Sequence, residues 1–427
     1  MDRLNVLYDI SVLGTACVQN RSRTGIFRVV DNIAAGLVEA QGIDTVFCAL
    51  ESICECDNLI KSSPRFANVP FTPVPLGLAI GRRKEELRKK SQNAVLPVKV
   101  TLKAAAELLR LTSRIVKRFE PTIPPSYLRH CDIFHSPYLP IPRQVKEFRN
   151  VSRFLTVYDI IALQHPEFFT FKEDHHMIKS VIDSIDPETW VLSISQATKD
   201  DLCSYRKDID PARVIVTPLA ASDIFYPNHD GEELRRVRRK YGIPESPYIL
   251  SLSTLEPRKN IDQTVRCFTR MIQQEHLPDL NLVLVGTKGW NYDKIFEEIL
   301  SNREIRDRII VTGYADDDDL AAIYSGARAF VYPSFYEGFG LPPLEAMQCG
   351  VPVITSNTSS LPEVVGDAGI LVAPTDSDGL CHAMLTICRD RSLRQSLSVK
   401  AQQRAKQFSW ESCLAKTVEA YRLSCSS

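Results

Sequence analysis

The chain has 427 residues, of which 44% are hydrophobic and 24% are charged, as in globular proteins and unlike disordered or collagen-like chains. Its 52 basic and 52 acidic residues cancel, which excludes a surface that is basic throughout, as a general nucleic-acid binder needs. No apolar run approaches about 18 residues and no signal-peptide pattern opens the chain, so we expect a soluble, cytoplasmic protein. The 12 scattered cysteines indicate core positions in a reducing compartment.

Short runs rich in valine, isoleucine and leucine recur along the chain, each followed by a longer stretch of helical pattern. This alternation predicts buried parallel strands joined by helical crossovers, and hence an α/β protein with two doubly wound, Rossmann-like domains. We place the domains at residues 1–230 and 231–400, with a helix in 401–427 that packs back on the first domain. The predicted strands are Asn5–Ile10, Thr45–Leu50, Asp132–His135, Arg153–Tyr158, Trp190–Ser195, Arg213–Thr217, Tyr248–Ser253, Asn281–Gly286, Arg308–Gly313, Arg328–Ser334 and Val351–Ser356.

Three polar or glycine-containing segments follow strands or precede helices in the first domain. Gly25, in Thr24-Gly-Ile-Phe-Arg28, permits a close backbone approach to a ligand, although a plain turn fits the pattern equally. His135 and Asp159 each lie at the end of a predicted strand. Either residue offers a polar group to a ligand at the edge of the sheet, or serves a structural role.

Residues 80–118 contain 12 basic and 3 acidic residues, a local charge of plus nine, with apolar residues between them. Such a basic amphipathic stretch is typical of helices that rest on anionic lipid. A solvated helical insertion is the alternative.

The first strand of the second domain leads into Ser253-Thr-Leu-Glu-Pro-Arg-Lys-Asn260. The carboxyl ends of strands are where ligands bind in doubly wound sheets. Arg258 and Lys259 would hold a diphosphate there, or form a solvated pair before a helix. The later run Asp316–Asp319 precedes a helical stretch, so we expect a solvated helix cap rather than a metal site.

The densest signal is Tyr332-Pro-Ser-Phe-Tyr-Glu-Gly-Phe-Gly-Leu-Pro-Pro-Leu-Glu-Ala-Met347. Glu337 and Glu345 bracket a glycine-rich turn that feeds the N-terminus of a helix, an arrangement suited to a phosphate. A buried connector in which Glu345 caps the helix is the alternative.

These segments, with Gly313–Leu320, Pro352–Ile354 and Ser360–Gly369, resemble glycosyltransferase family 4, the retaining nucleotide-sugar transferases of GT-B fold. The resemblance covers nearly all of the second domain and is thinner in the first. It implies that Arg258 and Lys259 hold the donor diphosphate, that Glu337 binds hydroxyls of the transferred sugar and that Glu345 binds the ribose. The remaining donor-site residues that it implies are Gly25, Ser253, Gly313, Tyr314, Phe339, Gly340 and Leu341, with Asp159 and His135 on the acceptor side.

The resemblance implies transfer of a sugar to a hydroxyl of a glycan or lipid-linked acceptor in polysaccharide or glycoconjugate synthesis, with no cofactor and no metal. Gly286-Thr-Lys-Gly-Trp290 and the segment Asp9-Ile-Ser11 are reminiscent of mannosyltransferase-like members and favour GDP-mannose as the donor. A UDP-sugar-dependent transferase and a catalytically silent GT-B scaffold or sugar-binding module are the alternatives. The basic segment 80–118 would bring the enzyme to the inner face of a membrane.

Overall fold

The structure, a computed structural model, describes residues 3–19, 25–72, 75–92, 96–119, 123–169, 172–275, 277, 279–287, 289 and 303–426. Thr24, Lys288 and Trp290, which belong to segments singled out in the sequence, lie outside these residues.

Two six-stranded sheets, one in each half of the chain, form the centre of the molecule. The first has the order β2-β1-β3-β4-β5-β6 and the second the order β12-β11-β10-β7-β8-β9, and every pairing is parallel. The predicted doubly wound α/β architecture is therefore confirmed. The strands are β1 (Leu4–Asp9), β2 (Ile43–Cys48), β3 (Ile133–Ser136), β4 (Ser152–Val157), β5 (Trp190–Ser193), β6 (Val214–Val216), β7 (Tyr248–Leu252), β8 (Asn281–Val285), β9 (Ile309–Gly313), β10 (Ala329–Tyr332), β11 (Val353–Ser356) and β12 (Ile370–Val372).

Helices cover both faces of each sheet, so most strand side chains are buried, as the continuous apolar runs predict. In the first half the helices are Ser11–Gln19, Gly25–Glu39, Ile53–Ser62, Pro75–Gln92, Leu96–Phe119, Pro125–Leu128, Arg143–Lys146, Ile161–Gln164, Lys172–Asp183 and Gln196–Tyr205. In the second half they are Gly231–Tyr241, Ile261–Glu275, Arg303–Arg306, Asp317–Ser325, Leu341–Gln348, Leu361–Val365, Ser377–Arg389, Arg391–Ala405 and Trp410–Ser426.

The last helix, Trp410–Ser426, leaves the second half and packs on the first. Leu414 lies against Gly36, where a Cβ would come within 2.6 Å of the leucine Cδ2. A side chain at position 36 would therefore require Leu414 to shift. Tyr421, fully buried, contacts the end of β3.

Each sheet changes direction of winding between two neighbouring strands, at β1 and β3 in the first and at β7 and β10 in the second. Ligands of doubly wound proteins bind outside the carboxyl ends of strands at such a point. The segments that follow β7 and β10 carry Arg258, Lys259 and Glu337, so the topology brings these three residues to one edge of the second sheet.

Candidate donor-binding cleft

A cavity of about 670 Å³ lies between the two halves, a volume suited to a small-molecule ligand. It is lined by residues from the carboxyl edges of both sheets. Every residue that the sequence assigns to the site lines it, except Gly313 and His135. Those that line it are Gly25, Asp159, Ser253, Arg258, Lys259, Tyr314, Glu337, Phe339, Gly340, Leu341 and Glu345.

Glu337 is held between two cations at the base of the cleft. One carboxylate oxygen accepts hydrogen bonds from Lys259 Nζ at 2.6 Å, Ser334 Oγ at 2.6 Å and the Tyr332 hydroxyl at 2.9 Å. The other oxygen lies 3.0 Å from Arg258 Nη1. Arg258 and Lys259 follow β7, Tyr332 ends β10 and Ser334 follows it, so the sheet topology brings the four partners together.

Burial acts to raise the pKa of Glu337, but the charges of Arg258 and Lys259 outweigh it and lower the pKa to about 2. Burial lowers the pKa of Lys259, and the attraction of Glu337 opposes that effect. Glu337 is therefore ionised at neutral pH. Both cations face the cleft already neutralised in part, so an anionic ligand competes with Glu337 for them.

Three residues that line the cleft have a buried polar atom without a hydrogen-bond partner among the described residues. These atoms are the Tyr158 hydroxyl, the Ser253 hydroxyl and Arg258 Nε. Buried polar groups are rarely left unpaired, and each one calls for an explanation such as a bound water or ligand. Ser253 thus offers a hydroxyl in the cleft that Arg258 also lines.

Glu345 lies on helix Leu341–Gln348 and is also buried. The Tyr324 hydroxyl donates to one of its oxygens at 3.0 Å, and Arg28 Nη1 donates to the other at 3.3 Å. Burial raises the pKa of Glu345 to about 7, against the charge of Arg28 and the Tyr324 hydrogen bond. Its ionisation at neutral pH therefore depends on these neighbours.

The N-terminus of helix Leu341–Gln348 points a limited set of amides at the cleft. Pro342 and Pro343 have no N–H, so only the amides of Leu341 and of the preceding Gly340 and Phe339 can reach a ligand there. Gly340 has φ of 122°, a conformation that side chains rarely adopt. Gly25 of the first half lies opposite, where a Cβ would come within 3.1 Å of the Leu341 side chain.

Gly313 does not line the cleft, but its backbone conformation positions a residue that does. It ends β9 with φ of 73°, and its carbonyl accepts the Gly286 amide at 2.9 Å. This left-handed turn carries the chain to Tyr314, which lines the cleft and is 49% exposed. Glycine at 313 therefore acts through backbone conformation.

Asp159 follows β4 and reaches the cleft from the first half. Its carboxylate accepts the Ile161 amide at 3.0 Å, and burial raises its pKa. The backbone before it packs tightly on the opposite half, because a Cβ on Gly338 would approach the Tyr158 carbonyl oxygen to 2.4 Å. A glycine at 338 is needed for the halves to meet here.

His135 lies away from the cleft. It is buried beneath the last helix, 2.6 Å from the Tyr421 hydroxyl and 2.8 Å from Thr156 Oγ1. Burial lowers its pKa to about 3, so the ring is neutral. The structure therefore gives His135 a place in packing the C-terminal helix on the first sheet, in agreement with the structural alternative.

The aspartate run 316–319 is only partly solvated, contrary to the expected solvated cap. Asp319 is buried and paired with Arg236 and Lys240 of helix Gly231–Tyr241. Asp317 pairs with Arg28 at 2.9 Å. No group of three or more potential metal ligands occurs among the described residues.

Sequence reasoning missed four residues that complete the site. Arg28 and Tyr324 bind Glu345, and Tyr332 and Ser334 bind Glu337. Arg28 could have been found from the sequence, because it belongs to the same short segment as Gly25. No local sequence pattern indicates Tyr324.

Two doubly wound sheets that face each other across a cleft define the GT-B type of fold. The fold also occurs in sucrose-phosphate synthase from Thermosynechococcus elongatus, with a TM-score of 0.66, 20% identity, and coverage of 99% of this chain and 98% of that one. Anabaena HepE in complex with UDP and glucose has a TM-score of 0.64, 15% identity, and coverage of 98% and 99%.

A model described as "Glycosyl transferases group 1" matches residues 235–404. O-antigen chain mannosyltransferase B of Escherichia coli is 38% identical over 295 residues, which cover 68% of this chain and 74% of that protein. The chain belongs to the glycosyl transferases group 1 family. A serotype-specific mannosyltransferase, WbdA of E. coli, is 31% identical over 234 residues, but these cover only 28% of that longer protein.

Proposed function

We propose that the protein is a retaining mannosyltransferase. It transfers mannose from GDP-mannose to a hydroxyl of a glycan or lipid-linked acceptor in polysaccharide or glycoconjugate synthesis. The 38% identity to an O-antigen chain mannosyltransferase supports the sugar and the acceptor class. The choice of GDP-mannose rests on the resemblance of Gly286–Trp290 and Asp9–Ser11 to mannosyltransferase-like members, and UDP-sugars are the main alternative donors.

The observation that carries the proposal is the cluster of Arg258, Lys259 and Glu337 with its unpaired Ser253 hydroxyl and Arg258 Nε. A donor diphosphate offers oxygens to these free donors and to the two cations. As the bond from the anomeric carbon to the diphosphate oxygen breaks, negative charge accumulates on the leaving phosphate. Preorganised cations stabilise that charge in the transition state.

Glu337 then exchanges part of its contact with the cations for hydroxyls of the transferred sugar, and Glu345 accepts the ribose hydroxyls. In the same-face substitution usual for the family, the leaving phosphate takes the acceptor proton. Asp159, which lines the cleft from the other half, would hold the acceptor or the sugar.

The proposed reaction uses no cofactor and no metal, because Arg258 and Lys259 supply the charge that a cation would otherwise supply. Transfer is therefore expected to continue at full rate in excess EDTA. Loss of activity that Mg²⁺ or Mn²⁺ restores would contradict this part of the proposal.

Differential scanning fluorimetry against GDP-mannose, UDP-glucose, UDP-N-acetylglucosamine, GDP and UDP tests donor identity, because a bound donor stabilises the folded state by mass action. We expect the largest shift with GDP-mannose. A shift with UDP-sugars alone would favour the alternative donor class. Binding without any hydrolysis or transfer, in the presence of mannose-terminated acceptors, would favour a silent binding module.

We further propose that the helical pair Pro75–Gln92 and Leu96–Phe119 rests on an anionic membrane at its cytoplasmic face. These helices pack on each other in the first half. Leu96, Val98 and Val100 are 79%, 47% and 62% exposed, beside Lys99 and the exposed Lys103. No helix among the described residues is long and apolar enough to span a bilayer. Exposed apolar side chains among lysines suit the interface of an anionic bilayer.

Vesicle co-sedimentation tests this surface. We expect binding to vesicles with 30% phosphatidylglycerol, weakened by salt and by the double change Leu96→Ser and Val100→Ser. Equal binding to pure phosphatidylcholine vesicles, or no effect of the double change, would contradict it. The exposed Val399, on a helix of the other half, gives the control Val399→Ser.

A further inference from the structure

Arg28 belongs to helix Gly25–Glu39 of the first half, yet its charge is satisfied by the second half. Nη2 lies 2.9 Å from Asp317 Oδ2 and Nη1 lies 3.3 Å from Glu345 Oε1. The guanidinium also lies over the Phe225 ring, 5.6 Å from its centroid. Its side chain is 19% exposed, so these contacts are made largely out of water.

Glu345 has acceptor capacity left after these contacts. An ionised carboxylate offers about four acceptor sites, two on each oxygen. Among the described residues, Arg28 occupies one site on Oε1 and Tyr324 occupies one site on Oε2. One site on each oxygen thus remains, which matches the two neighbouring hydroxyls of a ribose. A protonated Glu345 would lose one of these acceptor sites.

We propose that Arg28 is a positioning residue for ribose recognition: it holds Glu345 ionised and oriented from across the cleft, so that the carboxylate accepts both ribose hydroxyls of the donor. This inference deepens the proposed function and rests on it. The other residues of the proposed nucleotide subsite lie in the second half. A residue of the first half, Arg28, thus strengthens Glu345 as a hydrogen-bond acceptor.

The charged and titratable groups around Glu345 support this role. Burial raises its pKa to about 7, Arg28 is the main influence that lowers it, the Tyr324 hydroxyl also lowers it, and Asp317 raises it. Just after the end of its helix, Cys349 is a buried thiol whose pKa is raised by burial and then by Glu345, so the thiol is neutral. Among the described residues, Arg28 is the cation that pairs with Glu345, so its removal leaves the carboxylate beside Asp317 and raises the pKa of Glu345 further.

The test compares GDP with 2′,3′-dideoxy-GDP, which lacks both hydroxyls, by isothermal titration calorimetry at pH 7.5 and 9. The wild type should prefer GDP at both values. Arg28→Ala should lose about tenfold of that preference at pH 7.5 and regain part of it at pH 9, because the higher pH favours the ionised carboxylate. Arg28→Lys keeps the positive charge but not the two N–H groups of the guanidinium that contact both carboxylates. Its preference for GDP should lie between those of the wild type and Arg28→Ala.

Arg65→Ala is the matched control. Arg65 pairs with Asp31, which lies on the same helix as Arg28, and the Arg65 side chain is 54% exposed. It should leave both affinities unchanged. If Arg28→Ala weakens GDP and the dideoxy compound equally at every pH, Arg28 contacts phosphate or base and the inference fails. An unchanged preference overturns it too.

The same series with UDP and 2′,3′-dideoxy-UDP separates this inference from the proposed donor. A preference that responds to Arg28 only with UDP sustains the inference and overturns GDP-mannose as donor. A wild type that binds neither GDP nor UDP overturns both.

Discussion

The hydroxyl of Tyr336 lies 2.7 Å from one carboxylate oxygen of Asp201, and this hydrogen bond joins the two halves of the molecule directly beside Glu337. On the other side of Glu337, the Gly338 carbonyl accepts the hydroxyls of Ser195 at 2.6 Å and Thr198 at 3.2 Å. Both contacts come from the start of helix Gln196–Tyr205. The backbone on either side of Glu337 is therefore held by the opposite half.

The Tyr336 and Asp201 side chains should show energetic coupling. In a double-mutant cycle with Tyr336→Phe and Asp201→Ala, we expect a coupling free energy of about 1.5–3 kcal/mol, the range for a hydrogen bond to a charged group, measured by urea unfolding. Tyr336→Phe should also reduce kcat, since Glu337 loses support on one side. Tyr205→Phe, an exposed tyrosine on the same helix, is the control. Strictly additive effects would contradict the coupling.

Lys259→Ala should lower transfer far more than it lowers stability. The variant removes one of two cations near the leaving phosphate, so we expect kcat to fall about 100-fold or more. Glu337 keeps Arg258, Ser334 and Tyr332 as partners, which limits the loss of stability to about 2 kcal/mol. Initial rates with the donor found by fluorimetry, alongside thermal melts, measure the two effects.

A suitable comparison for Lys259→Ala is Arg270→Ala, which breaks an exposed ion pair with Asp378 on the same half. It should leave the rate unchanged. Transfer by Lys259→Ala at the wild-type rate would remove Lys259 from the mechanism.

Glu337→Gln should be destabilising at neutral pH and less so in acid. The pKa of Glu337 is lowered from 4.5 to about 2 in the folded protein, so its ionised form stabilises the fold above the unfolded value. That contribution, on the order of 3 kcal/mol, is lost as the pH falls from about 4.5 toward 2. The difference in unfolding free energy between wild type and variant should shrink over this window. A constant difference from pH 7 to pH 3 would show that Glu337 is not ionised in its cluster.

His135→Gln should flatten the acid limb of the stability curve while leaving kcat within about threefold of wild type, because His135 does not line the cleft. The pKa of His135 is lowered from 6.5 to about 3 by burial, so only the unfolded chain takes up this proton between those values. Wild-type stability therefore decreases as the pH falls below 6.5, by at most about 1.4 kcal/mol per pH unit.

Melting temperatures of both proteins from pH 7.5 to pH 4.5 measure this slope. His229→Gln, at an exposed histidine, should keep the wild-type slope. A large loss of kcat in folded His135→Gln would restore the catalytic role suggested by the sequence.

The sequence by itself determined the two doubly wound sheets and the proximity of Arg258, Lys259 and Glu337. Apolar runs that alternate with helical patterns mark parallel strands, and parallel strands bring their carboxyl ends to one edge. Local spacing is sufficient for that conclusion. It was insufficient for β12, a strand of three half-buried residues whose short apolar run has no distinctive period.

The tertiary structure alone decided which side chains from distant segments meet. Arg28 and Glu345 are 317 positions apart, and Asp201 and Tyr336 are 135 apart. No local pattern encodes such contacts, because they arise when two separately wound sheets face each other. The burial of His135 likewise depends on the return of the last helix to the first half, where Tyr421 closes over it. The sequence places the polar and charged side chains at the strand ends. The packing of the two halves decides which partners these side chains meet, and those partners set their protonation states.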